Sequence, residues 1–537
     1  MRISSREPRP GYVLIVVLIV VVVLSLSAYR FTEAMMAEYT VAVRSTEAAQ
    51  AKAFAMSGVH FAAAALADPT SRTELLGGNP GESTAFSGVQ LGSPEDPRGG
   101  GRFTLFNVAD TFGSTGEGRY QVRYGASDES AKLNINTLIQ LDKAGTVLHD
   151  ALMKLPNMTE DIADAIVDWV DPDDTPRAAG AESETYLGLS NPYRAKNGPL
   201  NSVDELLFVR GITPQLLFGN DRNRNGRLDT GEADGSDFSR GWSEFLTAYG
   251  REVDTDSYGV PRIDLNEEDL LTLNESLLVA LGPEMASYIV MYRITGKVTT
   301  VSTATTTESG SGSSGSSGTS SSSGGSNGSS STTVTYGTAD DLAAAVEDSL
   351  ANGAAAKKKL NSVLTLVNTE MTLPKPAGAT ASTPTLTIAS PLNDPNKLKE
   401  LLPVLLEMTT TRTTYEMTPR INVNTAPPEV LTALPGLAAT DVEKILSVRA
   451  GLNPADAVTQ TGAWLVTDAG ITASTFRKLE RYVTGRSSTY RVQSVGYFGQ
   501  GGPFARVEAV IDTANGTPRI VYFRDLTDLG RGFELPR

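Results

Sequence analysis

Residues 12–29 read YVLIVVLIVVVVLSLSAY and carry no charge before Arg30. A helix of about 20 apolar residues spans the hydrocarbon of a bilayer, so this run is just long enough to cross one. Arg2, Arg6 and Arg9 form a basic leader that ends at Gly11. Basic flanks stay on the cytoplasmic side, which predicts that the rest of the chain points outward. A signal peptide has the same kind of leader, but this run is long and has no A-x-A-like end. A plain membrane anchor is the other alternative. The run continues into an alanine-rich stretch, AMMAEYTVAVRSTEAAQAKAFAMSGVHFAAAALAD, that ends at Pro69. The two together predict one helix of about 55 residues, ~80 Å long at 1.5 Å per residue.

Alternating apolar segments at Arg102–Val108 and Tyr120–Tyr124 predict strands with one buried face, as do Tyr490–Tyr497, Ala505–Asp512 and Arg519–Arg524. Asn515-Gly516 marks a hairpin between the last two. Strand signals at both ends around a helical middle suggest one sheet closed by distant segments. The middle repeats a unit three times: Lys132–Asp171, Arg262–Arg293 and Arg420–Arg449. Each begins N-x-N or D-x-N and continues into helices joined by a Pro, Gly or Asn turn. Val203–Phe218 is a shorter copy, and Leu434-Pro435-Gly436-Leu437 is the best instance of a helix-hairpin-helix turn. Residues 301–334 collapse into Ser, Gly and Thr, the composition of a flexible linker between two helical lobes or of an excursion from a loop. Leu373–Pro391 reads as loop.

The chain has 537 residues, a length that predicts several domains. It has no cysteine and two histidines, His60 and His149, so thiolate chemistry, zinc ribbons and multi-histidine metal sites are excluded. A formal charge of −16 disfavours nucleic acid. The hairpin turns still invite a DNA reading, because hairpin amides contact phosphates. Against it, Asp441 and Glu443 lie beside Lys444 and Arg449, and the first hairpin reads TEDIADAIVDWVD.

Two acidic segments carry chemistry. DRNRNGRLDTGE, Asp221–Glu232, matches the calcium loop D-x-[DN]-x-[DN]-G-x5-E at each specified place. Asp221, Asn223 and Asn225 offer side-chain oxygens, Gly226 permits the sharp turn, and Arg227 offers its carbonyl. Asp229 falls at position 9, and Glu232 can chelate with both oxygens at position 12. The alternative is a solvated Asn/Gly turn. The second segment crowds Asp168, Asp171, Asp173 and Asp174, with Glu182 and Glu184 close behind. Their repulsion is costly unless a cation or solvent relieves it.

A basic leader, a glycine, an aromatic residue and a hydrophobic helix together resemble a type IV prepilin signal. The resemblance implies cleavage by a prepilin peptidase between Gly11 and Tyr12. Most members of that family carry a glutamate at the fifth mature position, where this chain has Val16. Loss of that glutamate is typical of the K-type minor pseudopilin of type II secretion systems, the subunit suited to a tip. The DESAKLNIN segment (Asp128–Asn136), the INVNTAPPEVLTALPGL segment (Ile421–Leu437) and the helical insertion between sheet halves resemble the same family. The Ser/Gly stretch, the extra repeat and the missing cysteines depart from it.

The resemblance implies an α+β, type IV pilin-like fold: a long N-terminal transmembrane helix and an antiparallel sheet, with a large inserted helical domain bearing helix-hairpin-helix-like repeats. It implies a calcium-binding insertion, with Asp171, Asp173, Asp174 and Glu182 as candidate ligands beside the Asp221–Glu232 loop. The boundaries expected are a leader at 1–11, the helix at 12–68, and the first part of the sheet at 69–130. The inserted domain with its calcium loops follows at 131–300, then a linker at 301–336. A second lobe at 337–487 and closing strands at 488–537 complete the chain. The function implied is that of a non-enzymatic tip subunit that caps and starts a pseudopilus for protein export. Its partners would be the I- and J-type and major pseudopilins, the prepilin peptidase, and the inner membrane through 12–29, with the bulk of the chain periplasmic. A minor type IV pilin or a helix-hairpin-helix DNA-uptake receptor is the alternative.

Overall fold

The computed structural model describes residues 11–93, 95, 100–108, 123–226, 228–229, 231–232, 240–300, 335–375, 378–380, 383–453 and 456–536. Leader residues 1–10, most of the strand expected at 120–124, and the Ser/Gly stretch lie outside them. Helix α1, Gly11–Ala67, is continuous over 57 residues, as the uninterrupted pattern up to Pro69 anticipates. It stops at Asp68, whose extended backbone leaves the helix. The Asp68 side chain accepts from the amides of Thr70 and Ser71 to cap the next turn. The first half of α1 is bare, with Tyr12, Leu14 and Leu18 exposed. Further on, Ala51, Ala55, Val59, Ala62 and Leu66 are buried, at a three-to-four-residue spacing that puts them on one stripe.

That stripe packs on an antiparallel sheet of strands β1 (Val89–Leu91), β2 (Gly101–Phe106), β3 (Ser127–Asp128), β4 (Thr489–Phe498), β5 (Ala505–Asp512) and β6 (Arg519–Asp525). The spatial order is β1-β2-β4-β5-β6, and β3 pairs with β4. The sheet therefore joins the two ends of the chain, with Phe103 opposite Gly496 and Gly101 opposite Phe498. The alternation read in the sequence falls on β2, β4, β5 and β6. Gly516, at φ +72°, makes the turn between β5 and β6.

Small residues set the closeness of helix and sheet. A Cβ on Gly496 would sit 2.1 Å from the Ala51 carbonyl oxygen and 2.4 Å from the Ala55 amide nitrogen. Both are backbone atoms that cannot swing aside. Gly496→Val is therefore expected to destabilise the protein by about 3 kcal/mol, seen as a lower melting temperature. A melting curve like the parent's would contradict the close approach.

Between β3 and β4 the chain forms a helical body with a single buried core that runs from Leu133 to Val483. The three sequence repeats share one architecture in it. Each opening strand makes a short parallel bridge: Leu133-Asn134 to Leu246-Thr247, Ile263-Asp264 to Thr409-Thr410, and Ile421-Asn422 to Val483-Thr484. The asparagine that follows each strand ties two distant loops together. Asn136 donates to the carbonyls of Leu200 and Ala248, Asn266 to those of Leu360 and Thr411, and Asn424 to those of Thr459 and Gly485. Buried carbonyls need such partners, which accounts for an asparagine at these three positions. The helix pairs are α2 (Thr146–Leu152) with α3 (Glu160–Val170), α4 (Leu270–Leu281) with α5 (Pro283–Thr295), and α6 (Pro428–Ala433) with α7 (Ala439–Arg449). Asn157, Gly282 and Gly436 take positive φ at the three turns, a conformation that Asn and Gly tolerate best.

Residues on both sides of the Ser/Gly stretch contribute to this core. Thr299-Thr300 and Thr335-Tyr336, which flank the Ser/Gly stretch, belong to one four-stranded sheet with Thr369–Thr372 and Leu386–Ala389. The described residues on either side of the stretch therefore meet in one sheet. Leu373–Pro391, expected as loop, contributes the strand Leu386–Ala389 to that sheet.

Candidate metal centre

Helix α3 is amphipathic, and it ends where Asp171 turns extended. Its apolar face enters the core. Asp164 and Asp168, one turn apart, point at the segment that returns past it. Arg177 Nε donates to Asp164 Oδ1 (2.7 Å), and the Ala179 amide donates to Asp164 Oδ2 (3.1 Å). The Arg177 amide donates to both oxygens of Asp168 (3.2 Å each). These bonds bring Glu182 back over the end of α3. Trp169 at the end of α3 meets Tyr186 edge-on at 5.3 Å, and Tyr186 stacks on Tyr193 at 5.3 Å, which packs the returning segment against the helix.

Asp171, Asp173 and Glu182 each offer a carboxylate oxygen within 4.8 Å of the other two. Oxygens that share one Ca²⁺ at 2.3–2.6 Å lie no more than about 5 Å apart, so the spacing fits. Glu182 is 3% exposed and Asp171 8%. Both oxygens of Glu182, and Oδ1 of Asp171, are buried without a hydrogen-bond partner. Buried carboxylate oxygens are seldom left this way unless a cation takes the place of the donors. Burial, with Asp168 and Asp171 nearby, pushes the Glu182 carboxyl up to about 8. Burial, with Asp173 and Asp168 nearby, pushes Asp171 up to about 6. Asp174 lies at the exposed rim, where hydrogen bonds from Ser183 and Asn197 lower its pKa. Asn197 was not read from the sequence as a candidate. Its Nδ2 donates to the Asp173 carbonyl (2.5 Å), and its own Oδ1 is buried without a partner.

The loop 221–232 turns around Asp221, whose Oδ2 accepts from the Gly226 amide (2.7 Å) and Oδ1 from the Asn225 amide (3.1 Å). Glu232 accepts from the amides of Arg222 and Asn223 through Oε1, and from Asp229 through Oε2. Asn223 and Asn225 direct their amide nitrogens at Asp229 Oδ2, at 2.7 and 2.9 Å. A cation at the centre would call for their oxygens instead. Burial pushes Asp221 up to about 6. Arg227 lies outside the described residues. The loop is docked on the sheet by Arg506 of β5, which donates to the carbonyls of Asn223 (2.8 Å) and Arg224 (2.7 Å). Neither Arg506 nor Asp164 was legible as a site residue, because each acts through a partner far away in sequence. At the other end of the molecule, Gly11, Tyr12 and Val16 lie in the first turns of α1, with Tyr12 and Val16 exposed.

The two segments that carried the family resemblance meet in space. Asp128 accepts from Asn422 Nδ2 (2.8 Å) and from the hydroxyls of Thr425 and Ser487.

Residues 131–218 match the family model described as type II secretion system (T2SS), protein K. A type II secretion system protein K from Pectobacterium carotovorum subsp. carotovorum is 36% identical over 86 residues, covering 16% of this chain and 26% of that protein. The chain thus aligns with about a quarter of that relative's length. A crystal structure of the GspK-GspI-GspJ complex from enterotoxigenic Escherichia coli overlaps 90% of this chain and 97% of the matched chain, at 12% identity and a TM-score of 0.35. The cluster of Asp171, Asp173 and Glu182 falls within the matched segment. Over residues 131–218 the chain is similar to the type II secretion system protein K family, the family that its leader and the segments Asp128–Asn136 and Ile421–Leu437 resemble.

Proposed function

We propose that this chain is a minor pseudopilin of the K type, anchored in the inner membrane by α1, with its bulk in the periplasm. It would cap the tip of a type II secretion pseudopilus and start its assembly. The observation that carries this reading is a protein K domain set between the halves of a sheet that packs on one long helix, whose apolar N-terminal half is bare. A bare apolar helix of this length suits lipid first and sibling helices afterwards. Val16 puts no carboxylate at the fifth position after Gly11, so this subunit needs no partner above it to neutralise one. The I- and J-type and major pseudopilins are the partners, and the prepilin peptidase is the processing enzyme. The subunit itself acts as a structural component and catalyses nothing.

The helix pairs are read as helix-hairpin-helix-like scaffolds that serve packing. A DNA-uptake receptor is disfavoured, because the cations at the best hairpin are engaged elsewhere. Arg449 donates to the carbonyls of Val423 and Ala426, and Lys444 pairs with Asp441 at 3.2 Å. Calcium at Asp171, Asp173 and Glu182, with Asp174 at the rim, would order the insertion by joining carboxylates that repel one another. The loop 221–232 is a second calcium candidate.

Substituting Gly11 by Leu tests the reading. The variant should keep its leader, shown by its mobility on a gel, and pseudopilus assembly should be lost. Normal processing would overturn the prepilin assignment. Failure of the soluble region to capture I- and J-type pseudopilins would overturn the tip placement.

A further inference from the structure

The chain is strongly acidic, yet a cleft of about 1370 Å³ is lined by cations. Lys297 follows α5, and Lys357, Lys358 and Lys359 enter in succession. Arg412, Arg477 and Arg481 join them from later segments, and Glu480 is the only carboxylate among the described lining residues.

The lysine run is held in place. The amides of Lys357 and Lys358 donate to the Arg293 carbonyl, at 2.8 and 3.3 Å. The Arg293 side chain is 1% exposed, and its Nε donates back to the Lys358 carbonyl at 2.7 Å. On the far side, Asn266 bonds both the amide (2.8 Å) and the carbonyl (2.9 Å) of Leu360. A buried arginine and a buried asparagine therefore clamp the backbone on either side of three exposed ammonium groups. None of the four cleft lysines is in an ion pair among the described residues. Holding like charges together in a fixed cleft costs free energy, which an anion of complementary shape returns.

We infer that this cleft binds an acidic segment of a protein partner. Its volume exceeds what one phosphate or carboxylate would fill. Beside the charges lie Val298, Leu373 and Pro374 and the hydroxyls of Ser362 and Thr411, a mixture that suits polypeptide side chains and carbonyls. Nucleic acid is the other polyanion, but single strands need aromatic platforms on which bases stack. The only aromatic residue among the described lining residues, Tyr292, is 4% exposed. The acidic remainder of the molecule also repels a long phosphate backbone.

The test uses the full chain in detergent micelles and a fluorescein-labelled oligo-glutamate of about 12 residues, followed by anisotropy at about 50 mM salt. Binding should weaken about tenfold or more in the triple variant Lys357→Glu, Lys358→Glu, Lys359→Glu, and also on raising salt to about 300 mM. The double variant Arg477→Glu, Arg481→Glu reports independently should the triple variant fail to fold. Lys444→Glu, outside the cleft, should bind as the parent does. Unchanged affinity in either folded cleft variant would overturn the inference. So would tighter binding of a DNA oligonucleotide of matched charge through the same lysines.

Discussion

Removing calcium from the purified full-length protein is expected to lower its melting temperature by about 8–16 °C. Ligand present at about 1,000 times its dissociation constant adds roughly 4 kcal/mol to a folded state, and each kcal/mol shifts a domain of 150–250 residues by about 2–4 °C. The effect should vanish in Asp171→Asn, Glu182→Gln, which keeps the shape but removes the charge. The pH dependence has a definite sign. Without calcium, Glu182 and Asp171 hold their protons in the folded state up to about 8 and about 6, whereas the unfolded chain releases them near the ordinary carboxylate values. The calcium-free protein therefore binds more protons folded than unfolded, and its stability falls as pH rises from about 4.5 to about 8. Calcium needs the ionised carboxylates, so its binding near pH 7 should release protons, chiefly from Glu182. Calorimetry in two buffers of different ionisation heat measures that release. Equal heats in both buffers, with unchanged melting under chelation, would refute the site.

Truncating Glu129 should be comparably severe. Glu129 is fully buried and receives Arg491 Nε (2.9 Å), Arg491 Nη2 (2.7 Å) and the Thr247 hydroxyl (2.7 Å), with Lys132 Nζ at 3.2 Å. Arg491 also reaches Glu508 at 2.8 Å. Burial alone would raise the Glu129 pKa, but the charges of Arg491 and Lys132 prevail and hold it well below the usual range. The stability it contributes is present above its ordinary value of 4.5 and is lost as pH falls below that value. Glu129→Ala takes the nearest carboxylate from the half-buried Lys132 and leaves Arg491 with Glu508 alone, and should cost about 3 kcal/mol in chemical denaturation. A loss under about 1 kcal/mol would mean that the network is solvated and of little consequence. Because Arg491 and Glu508 sit on β4 and β5 and Thr247 in the insertion, the same variant should loosen the joint between sheet and insertion.

Much of this was legible in one dimension because it rests on periodicity and composition. An uncharged run with small residues at helical spacing foretells α1 and its alanine stripe. Strict alternation foretells β2, β4, β5 and β6. The repeats were visible because the same strand, asparagine and turn recur, and the acidic residues 171, 173 and 182 because like charges crowd near one another. Asp174, read in the same cluster, lies at its rim. The loop at 221–232 matched a spacing rule, but its docking on Arg506 could not be read. That contact joins residues far apart in the chain, and no local pattern records it.

The sequence by itself determined what depends on neighbours in the chain: a long apolar helix, strands at both ends, three related helical units, and an acidic cluster. Tertiary structure alone decided which distant groups share a dry environment. It set residues from both sides of the Ser/Gly stretch in one core, and joined the strands flanking that stretch in one sheet. It also left Glu182 without donors and set Glu129 between Arg491 and Lys132. It clamped three lysines along a cleft in an otherwise acidic molecule. Burial and charge pairing are properties of assembled space, where desolvation and Coulomb energy act across any separation in sequence.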